Sequence, residues 1–228
     1  MATVQHVDPG TRRHTQTIVH ALAGTIRERD IITYEHSRRV AVYAYRLARH
    51  MGWTRRTGRD LALAGQVHDL GKTWIHNDLL HKDSALSRDE RHRMEQHPRT
   101  GARFLQIYGA PDWLADIVLR HHEAYDGRGY PDGLIGKDIP IGARMLTVCD
   151  VFDALSSERS YKPTMTQQDA CEVIASAAGT HFDPEIVSAF LAMLDANSDF
   201  CLPPRVCPLP IRIAPYPTWV RHDDIIED

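Results

Sequence analysis

Histidine and aspartate stand side by side at His68 and Asp69, inside the run Val67-His-Asp-Leu-Gly-Lys72. An imidazole offers a nitrogen donor and a carboxylate offers two oxygens, so the pair can serve a metal ion and Asp69 could bridge two. Neighbouring side chains on a helix point in different directions, so both can face one ion only near a helix end. A cap or an ion pair would account for the dipeptide equally well. The chain carries 14 histidines, however, and several fall where helices should begin or end. His36 opens one helical run, and His97 precedes Pro98. His121 and His122 close another run and lead into Glu123 and the loop Asp126-Gly-Arg-Gly-Tyr-Pro131. Asp150 sits inside the apolar stretch from Met145 to Phe152, where an unpaired charge would be costly. A metal ion would satisfy it, and so would an arginine or lysine. Residue types alone leave two readings open: a metal centre assembled from separate helices, or histidines and aspartates satisfied one by one in the core.

The elements that must position these residues read as helices. Ile18, Leu22 and Ile26 recur at helical spacing, predicting a helix over 11–28. Val40, Ala44, Leu47 and Met51 predict a second, stopped by Gly52, and Leu61, Ala64, Gly65 and His68 a third. Ser87 and Glu90 form a capping-box pattern for a fourth. Pro98 suits the first turn of a fifth that ends near Gly109, and Asp112 can cap a sixth. A loop rich in Gly and Pro spans 126–140, and Pro140 opens the helix carrying Asp150 and Asp153. Thr166 and the Asp183-Pro184 pair start two more. With no strand alternation, the expectation is an all-α bundle of eight or nine helices. Past Asn197 the tail is too rich in proline for a helix interior. Its Ile, Val, Trp and Leu content favours a segment packed on the body over a solvated linker.

Composition excludes several classes. Lys and Arg total 27 against 30 Asp and Glu, a formal charge of −3, which argues against a protein that coats nucleic-acid polymers. No stretch approaches a membrane span, and the first residues lack the apolar core of an export signal. Cys149, Cys171, Cys201 and Cys207 form no C-x-x-C pair and read as reduced thiols. The expected location is the cytoplasm.

The span from His14 to Leu194 resembles the HD-GYP family of metal-dependent phosphodiesterases. The resemblance rests on His36-Ser-x-Arg-Val40, the His68–Lys72 run, Glu95-x-His-Pro98 with Gly101, the run His121-His-Glu-Ala-Tyr-Asp-Gly-Arg-Gly-Tyr-Pro131, and Asp150 with Asp153-Ala-Leu155. Arg159-x-Tyr-Lys162 and Gly179-Thr-x-Phe-Asp-Pro184 add to it. The long run ending in Gly129-Tyr130-Pro131 is the specific part.

The resemblance implies an HD-superfamily helical bundle around a central binuclear metal site. It divides the chain into a lead (1–13), a catalytic domain (14–195) and a Pro-rich tail (196–228). It assigns His36, His68, Asp69, His97, His121, His122 and Asp150 as metal ligands, with Asp69 bridging, and two divalent ions, iron or manganese. Asp69 and Lys72 become the catalytic residues. Lys72, Tyr130, Arg159 and Lys162 become substrate-binding, and Glu123 is expected to orient a ligand histidine. Asp126 and Asp153 are read as structural. The implied reaction is hydrolysis of cyclic di-GMP to the linear dinucleotide pGpG, with further cleavage to GMP left open, by a metal-bridging hydroxide attacking phosphorus in line. Implied partners are cyclic di-GMP, a GGDEF-type cyclase and a second copy of the chain. The alternatives are a phosphohydrolase of another cyclic dinucleotide or nucleotide, and a non-hydrolytic cyclic di-GMP sensor.

Two departures stand out. Some family members carry an acidic ligand four residues before the first histidine, where this chain has Ile32, so two ions are expected rather than three. The segment from Trp74 to Ser84 also departs from the family pattern and bears on substrate preference.

Overall fold

The computed structural model describes residues 9–82, 84–157 and 165–196. Ten α-helices make up the described chain: α1 (Pro9–Arg29), α2 (Ile31–His50), α3 (Arg55–Val67), α4 (Asn77–Leu80), α5 (Arg88–Met94), α6 (His97–Ile107), α7 (Asp112–Arg120), α8 (Ile141–Ser156), α9 (Gln167–Ser176) and α10 (Pro184–Asp195). A 3-10 turn, Leu70–Trp74, leaves α3. The described residues form no sheet, only two isolated bridges, so the expected all-α class holds. No helix among them is long and apolar enough to cross a membrane.

The punctuation follows the sequence closely. The Ser87 hydroxyl accepts from the Glu90 amide while Glu90 accepts from the Ser87 amide, completing the box that starts α5. Thr166 and Asp169 do the same for α9. Asp183 caps α10, with Pro184 in its first turn. Asp112 differs: it lies inside α7, whose cap position is Pro111, and makes no capping bond. The helix α1 begins at Pro9, before the expected start of the catalytic domain, and Arg12 on it pairs with Asp60 of α3.

α2 and α3 pack against each other as an antiparallel hairpin, joined across Gly52, whose φ of +81° suits a residue without Cβ. Their apolar faces meet α8 and α10 in one core, where the rings of Tyr43, Phe152 and Phe190 stack edge to face. The turn after α3 lies hard against α6. A Cβ on Gly71 would sit 1.9 Å from the His97 carbonyl oxygen. Only glycine permits that approach, and it brings the end of α3 to the start of α6, where His68 and His97 reside.

Candidate metal centre

Each histidine of the cluster sits at an element boundary or on an inward face. His36 lies on the buried side of α2. His68 caps the C-terminus of α3, His97 begins α6, and His121 caps α7. Asp69 follows α3 directly, and Asp150 projects from the middle of α8. All are buried except His122, which is partly exposed.

The imidazoles share an orientation device. Nδ1 of His68, His97 and His121 lies 2.9, 2.7 and 2.7 Å from the carbonyls of Gly65, Met94 and Val118, each three residues earlier. As Nδ1–H donors, these rings aim Nε2 inward. His36 is mid-helix and uses a carboxylate instead: its Nδ1 is 2.7 Å from Asp153 Oδ2. Asp153 also accepts the Arg39 fork at 2.7 and 2.9 Å and the Ser157 hydroxyl at 3.1 Å.

On the inner side, His36 Nε2 is 2.9 Å from Asp150 Oδ1. One Asp69 oxygen, Oδ2, is 3.4 Å from His68 Nε2 and 3.9 Å from His36 Nε2, while Oδ1 is 3.3 Å from His97 Nε2. Potential ligand atoms gather into overlapping groups. Asp69, His97, His121 and His122 form one, His36, His68 and Asp69 a second, and His68, His121 and Asp150 a third. The seven expected ligands therefore meet in one place, and Asp69 belongs to two groups.

The chemistry of this donor set fits divalent metal ions. The Nε2 atoms of His68, His97 and His121 and Oδ1 of Asp69 are buried without a hydrogen-bond partner among the described residues. Buried polar atoms are rarely left so, because each costs free energy. Four of them in one buried cluster are explained together by a cation. No thiol joins the groups, and imidazole with carboxylate suits first-row divalent ions.

Electrostatics divide the cluster. Burial lowers the pKa of His36, but hydrogen bonds to Asp150 and Asp153 outweigh it and raise the value to about 9. Burial, then the charge of His97, lowers His122 to about 3, and burial and His122 push His121 well down. His121 and His122 are thus neutral near pH 7, as ligation requires. Burial alone would raise Asp69 and Asp150. Lys72 and His68 hold Asp69 well below the usual carboxylate range, and His36 and His68 do so for Asp150.

Around this cluster, Lys72 Nζ donates to Asp69 Oδ2 at 2.7 Å. The Tyr130 ring lies 4.9 Å from that of His122. A Cβ on Gly129 would meet the Ala124 amide nitrogen at 2.1 Å, so this glycine serves close packing, whereas Gly127 serves its φ of +85°. Arg159 and Lys162 lie outside the described residues, as does the tail beyond Ala196. Ile32 is 47% exposed and brings no donor atom. In the altered segment, Trp74 is 51% exposed and stacks on Phe104 at 3.6 Å.

Two expectations need correction. Glu123 was expected to orient a histidine, but its oxygens accept from the backbone amides of Asp132 (2.7 Å) and Leu134 (3.0 Å), fixing the loop around Tyr130. Asp153, read as merely structural, is the carboxylate that orients a histidine. The sequence places it three residues after Asp150, just past that apolar stretch and near the same helix face, but does not show its partner His36.

Comparison with known proteins bears on family and fold. A family profile described as HD domain matches residues 21–186. The chain is 40% identical over 178 residues to the cyclic di-GMP phosphodiesterase response regulator RpfG of Xanthomonas campestris pv. campestris, covering 75% of this chain and 46% of that protein. It is 34% identical over 192 residues to 3'3'-cGAMP-specific phosphodiesterase 2 of Vibrio cholerae, covering 81% of this chain and 36% of that protein. The chain thus spans less than half the length of these relatives. Among solved structures, Bd1817, an HDG"Y"P protein from Bdellovibrio bacteriovorus, shares the fold with a TM-score of 0.60 at 20% identity, over 72% of this chain and 52% of that one.

Proposed function

The chain belongs to the HD domain family, and within it to the HD-GYP family, and from that premise we propose that it hydrolyses a phosphodiester bond of cyclic di-GMP to give pGpG. The observation that carries the reading is the set of buried ligand atoms without a hydrogen-bond partner among the described residues, on His68, His97, His121 and Asp69, three of which (His68, His121 and Asp69) each belong to two ligand groups. Residues 14–195 are the catalytic unit, flanked by the lead and the tail.

His36, His68, Asp69, His97, His121, His122 and Asp150 would hold two divalent ions, iron or manganese. Ions held there would supply Lewis-acid stabilisation of phosphate charge and a nucleophile at neutral pH. The chain's own groups do the rest. Carbonyl partners fix Nδ1–H on His68, His97 and His121 and leave Nε2 as the inward donor. Asp153 does so for His36. Lys72 places its ammonium beside Asp69 at a partly exposed rim and stabilises negative charge growing on the phosphate. Tyr130 borders the entrance on a loop that Glu123 holds closed upon itself. Arg159 and Lys162 take phosphate oxygens by charge-assisted hydrogen bonds.

A second substrate is favoured by the likeness to the Vibrio cholerae protein named as 3'3'-cGAMP-specific. Metal-loaded protein given cyclic di-GMP and 3'3'-cGAMP, separately and in competition, distinguishes the two by chromatography of the products. A linear pGpG product with cyclic di-GMP preferred supports the proposal. Preference for the hybrid ring would transfer the assignment, and no opening of either ring would end it.

A further inference from the structure

The loop that carries Tyr130 is gripped from two helices. Tyr130 donates its amide to the His122 carbonyl at 3.1 Å, and its ring lies 4.9 Å from the His122 ring. Glu123 takes the amides of Asp132 and Leu134. These contacts tie the loop to the exit of α7. A second attachment runs to α6. Nη2 of Arg99 donates to the Pro131 carbonyl at 3.1 Å and to Asp132 Oδ1 at 2.8 Å. The other carboxylate oxygen, Oδ2, lies 3.6 Å from Arg120 Nη2 on α7. Asp132 is thus held by its amide and by both oxygens of its side chain.

The placement of the pair gives it a task. Arg99 stands two residues after His97 in the first turn of α6, and Asp132 two residues after Tyr130. The rings of His97 and His122 are 5.0 Å apart. Arg99 and Asp132 therefore join the helix start that supplies His97 to the loop that lays Tyr130 beside His122. Because the guanidinium bonds a carbonyl and a side chain of consecutive residues, it fixes the path of the chain as well as its distance from α6.

Stability does not account for the pair. The Arg99 and Asp132 side chains are 50% and 29% exposed, and exposed ion pairs contribute little to folding. Arg99 is third in α6, near the partially positive helix end, where a cation is disfavoured. Arg120 has another partner, Asp116, one turn back on α7. Nor do these residues belong to the metal centre, since Asp132 is in none of its ligand groups.

We propose that Asp132, clamped by Arg99 and Arg120, is a positioning residue for Tyr130, and that the clamp sets how tightly cyclic di-GMP is held beside the metal cluster. The inference rests on the reading of Tyr130 as substrate-binding and deepens it.

The test uses metal-loaded full-length protein with Asp132→Ala, Arg99→Ala, the double variant and Arg99→Lys, each checked for helical content and metal content. Asp132→Ala and Arg99→Ala should raise KM for cyclic di-GMP about tenfold, with kcat within about twofold of the parent, as expected when binding common to ground and transition states is lost. The double variant should be no worse than the worse single one, because the two residues act as a unit. Arg99→Lys keeps the charge and should recover most of the loss. Arg103→Ala removes an exposed arginine one turn further along α6 and should leave KM unchanged.

A second readout needs no substrate. Hydrogen exchange of the Tyr130 amide, which reports its bond to the His122 carbonyl, should quicken at least about tenfold in Asp132→Ala. An unchanged KM in both single variants, or unchanged exchange at Tyr130, would overturn the proposal. Loss of metal in either variant would also overturn it and make the clamp a support for the ligands. A parent that opens no cyclic di-GMP would end the catalytic reading instead. The exchange measurement would then decide the clamp by itself, with quicker exchange supporting it and unchanged exchange ending it.

Discussion

His36 Nδ1 lies 2.7 Å from Asp153 Oδ2, and the same carboxylate receives both arms of the Arg39 fork. The other three histidines of the cluster with placed Nδ1 partners use neutral carbonyls, so the cluster has one ring with an anionic backing. Such outer partners set ring orientation and ligand basicity. Asp153→Asn should weaken metal binding about 10- to 100-fold with helical content kept, measured by metal titration against a competing chelator. Asp153→Ala should in addition cost about 3–5 kcal/mol in urea unfolding, because it strands buried Arg39.

Lys72 donates to Asp69 but is itself partly exposed, which separates its role from ligation. Lys72→Ala should leave the metal content near that of the parent and lower kcat about 100-fold or more, the scale of losing one charge-stabilising donor. Loss of metal with loss of rate would instead make Lys72 a support for Asp69.

Two glycines offer a matched pair. Gly71→Ala drives a methyl into the His97 carbonyl and should destabilise the chain by about 1–3 kcal/mol while displacing His97 from the cluster. Gly24, inside α1, has nothing within 4 Å of a Cβ. Gly24→Ala should stabilise by about 0.5–1 kcal/mol with metal content unchanged. Thermal melts with metal analysis of both variants test the packing argument.

The pH dependence of stability should change with metal. The pKa of His36 in the folded chain is raised to about 9, above its ordinary 6.5, by Asp150 and Asp153 against the opposing effect of burial. The unfolded chain thus binds fewer protons here between those values. The stabilisation from this group is fully present below about 6.5 and is lost as pH rises through about 9. Chelator-treated protein should therefore lose Tm over that window. Metal-loaded protein should not, because ligation replaces the proton. Equal slopes in both states would place His36 outside the metal shell.

Helix boundaries were legible because capping chemistry is local: Ser87 with Glu90 and Thr166 with Asp169 act over one turn. The ligand types were legible too, through the resemblance. Their convergence was not, since the contact of Gly71 with the start of α6 joins residues 26 apart in sequence and has no periodic signature. Glu123 was misread for a related reason. Its adjacency to His122 suggested a shared task, but a side chain at a helix exit can turn away from its neighbour and hold a loop. Asp153 showed the reverse: its partner His36 is 117 residues away and could be found only in three dimensions.

In the proposed function one carboxylate, Asp69, serves two metal ions at once. The most direct test is metal content per chain, by plasma mass spectrometry on protein purified without chelator, for the parent and for Asp69→Ala, with cyclic di-GMP turnover measured on the same samples. The expected content of the parent is about two ions of iron or manganese. The variant should lose both ions and turnover almost completely, with the helical circular dichroism kept. A variant that retained both ions, or lost one and kept full turnover, would contradict that role.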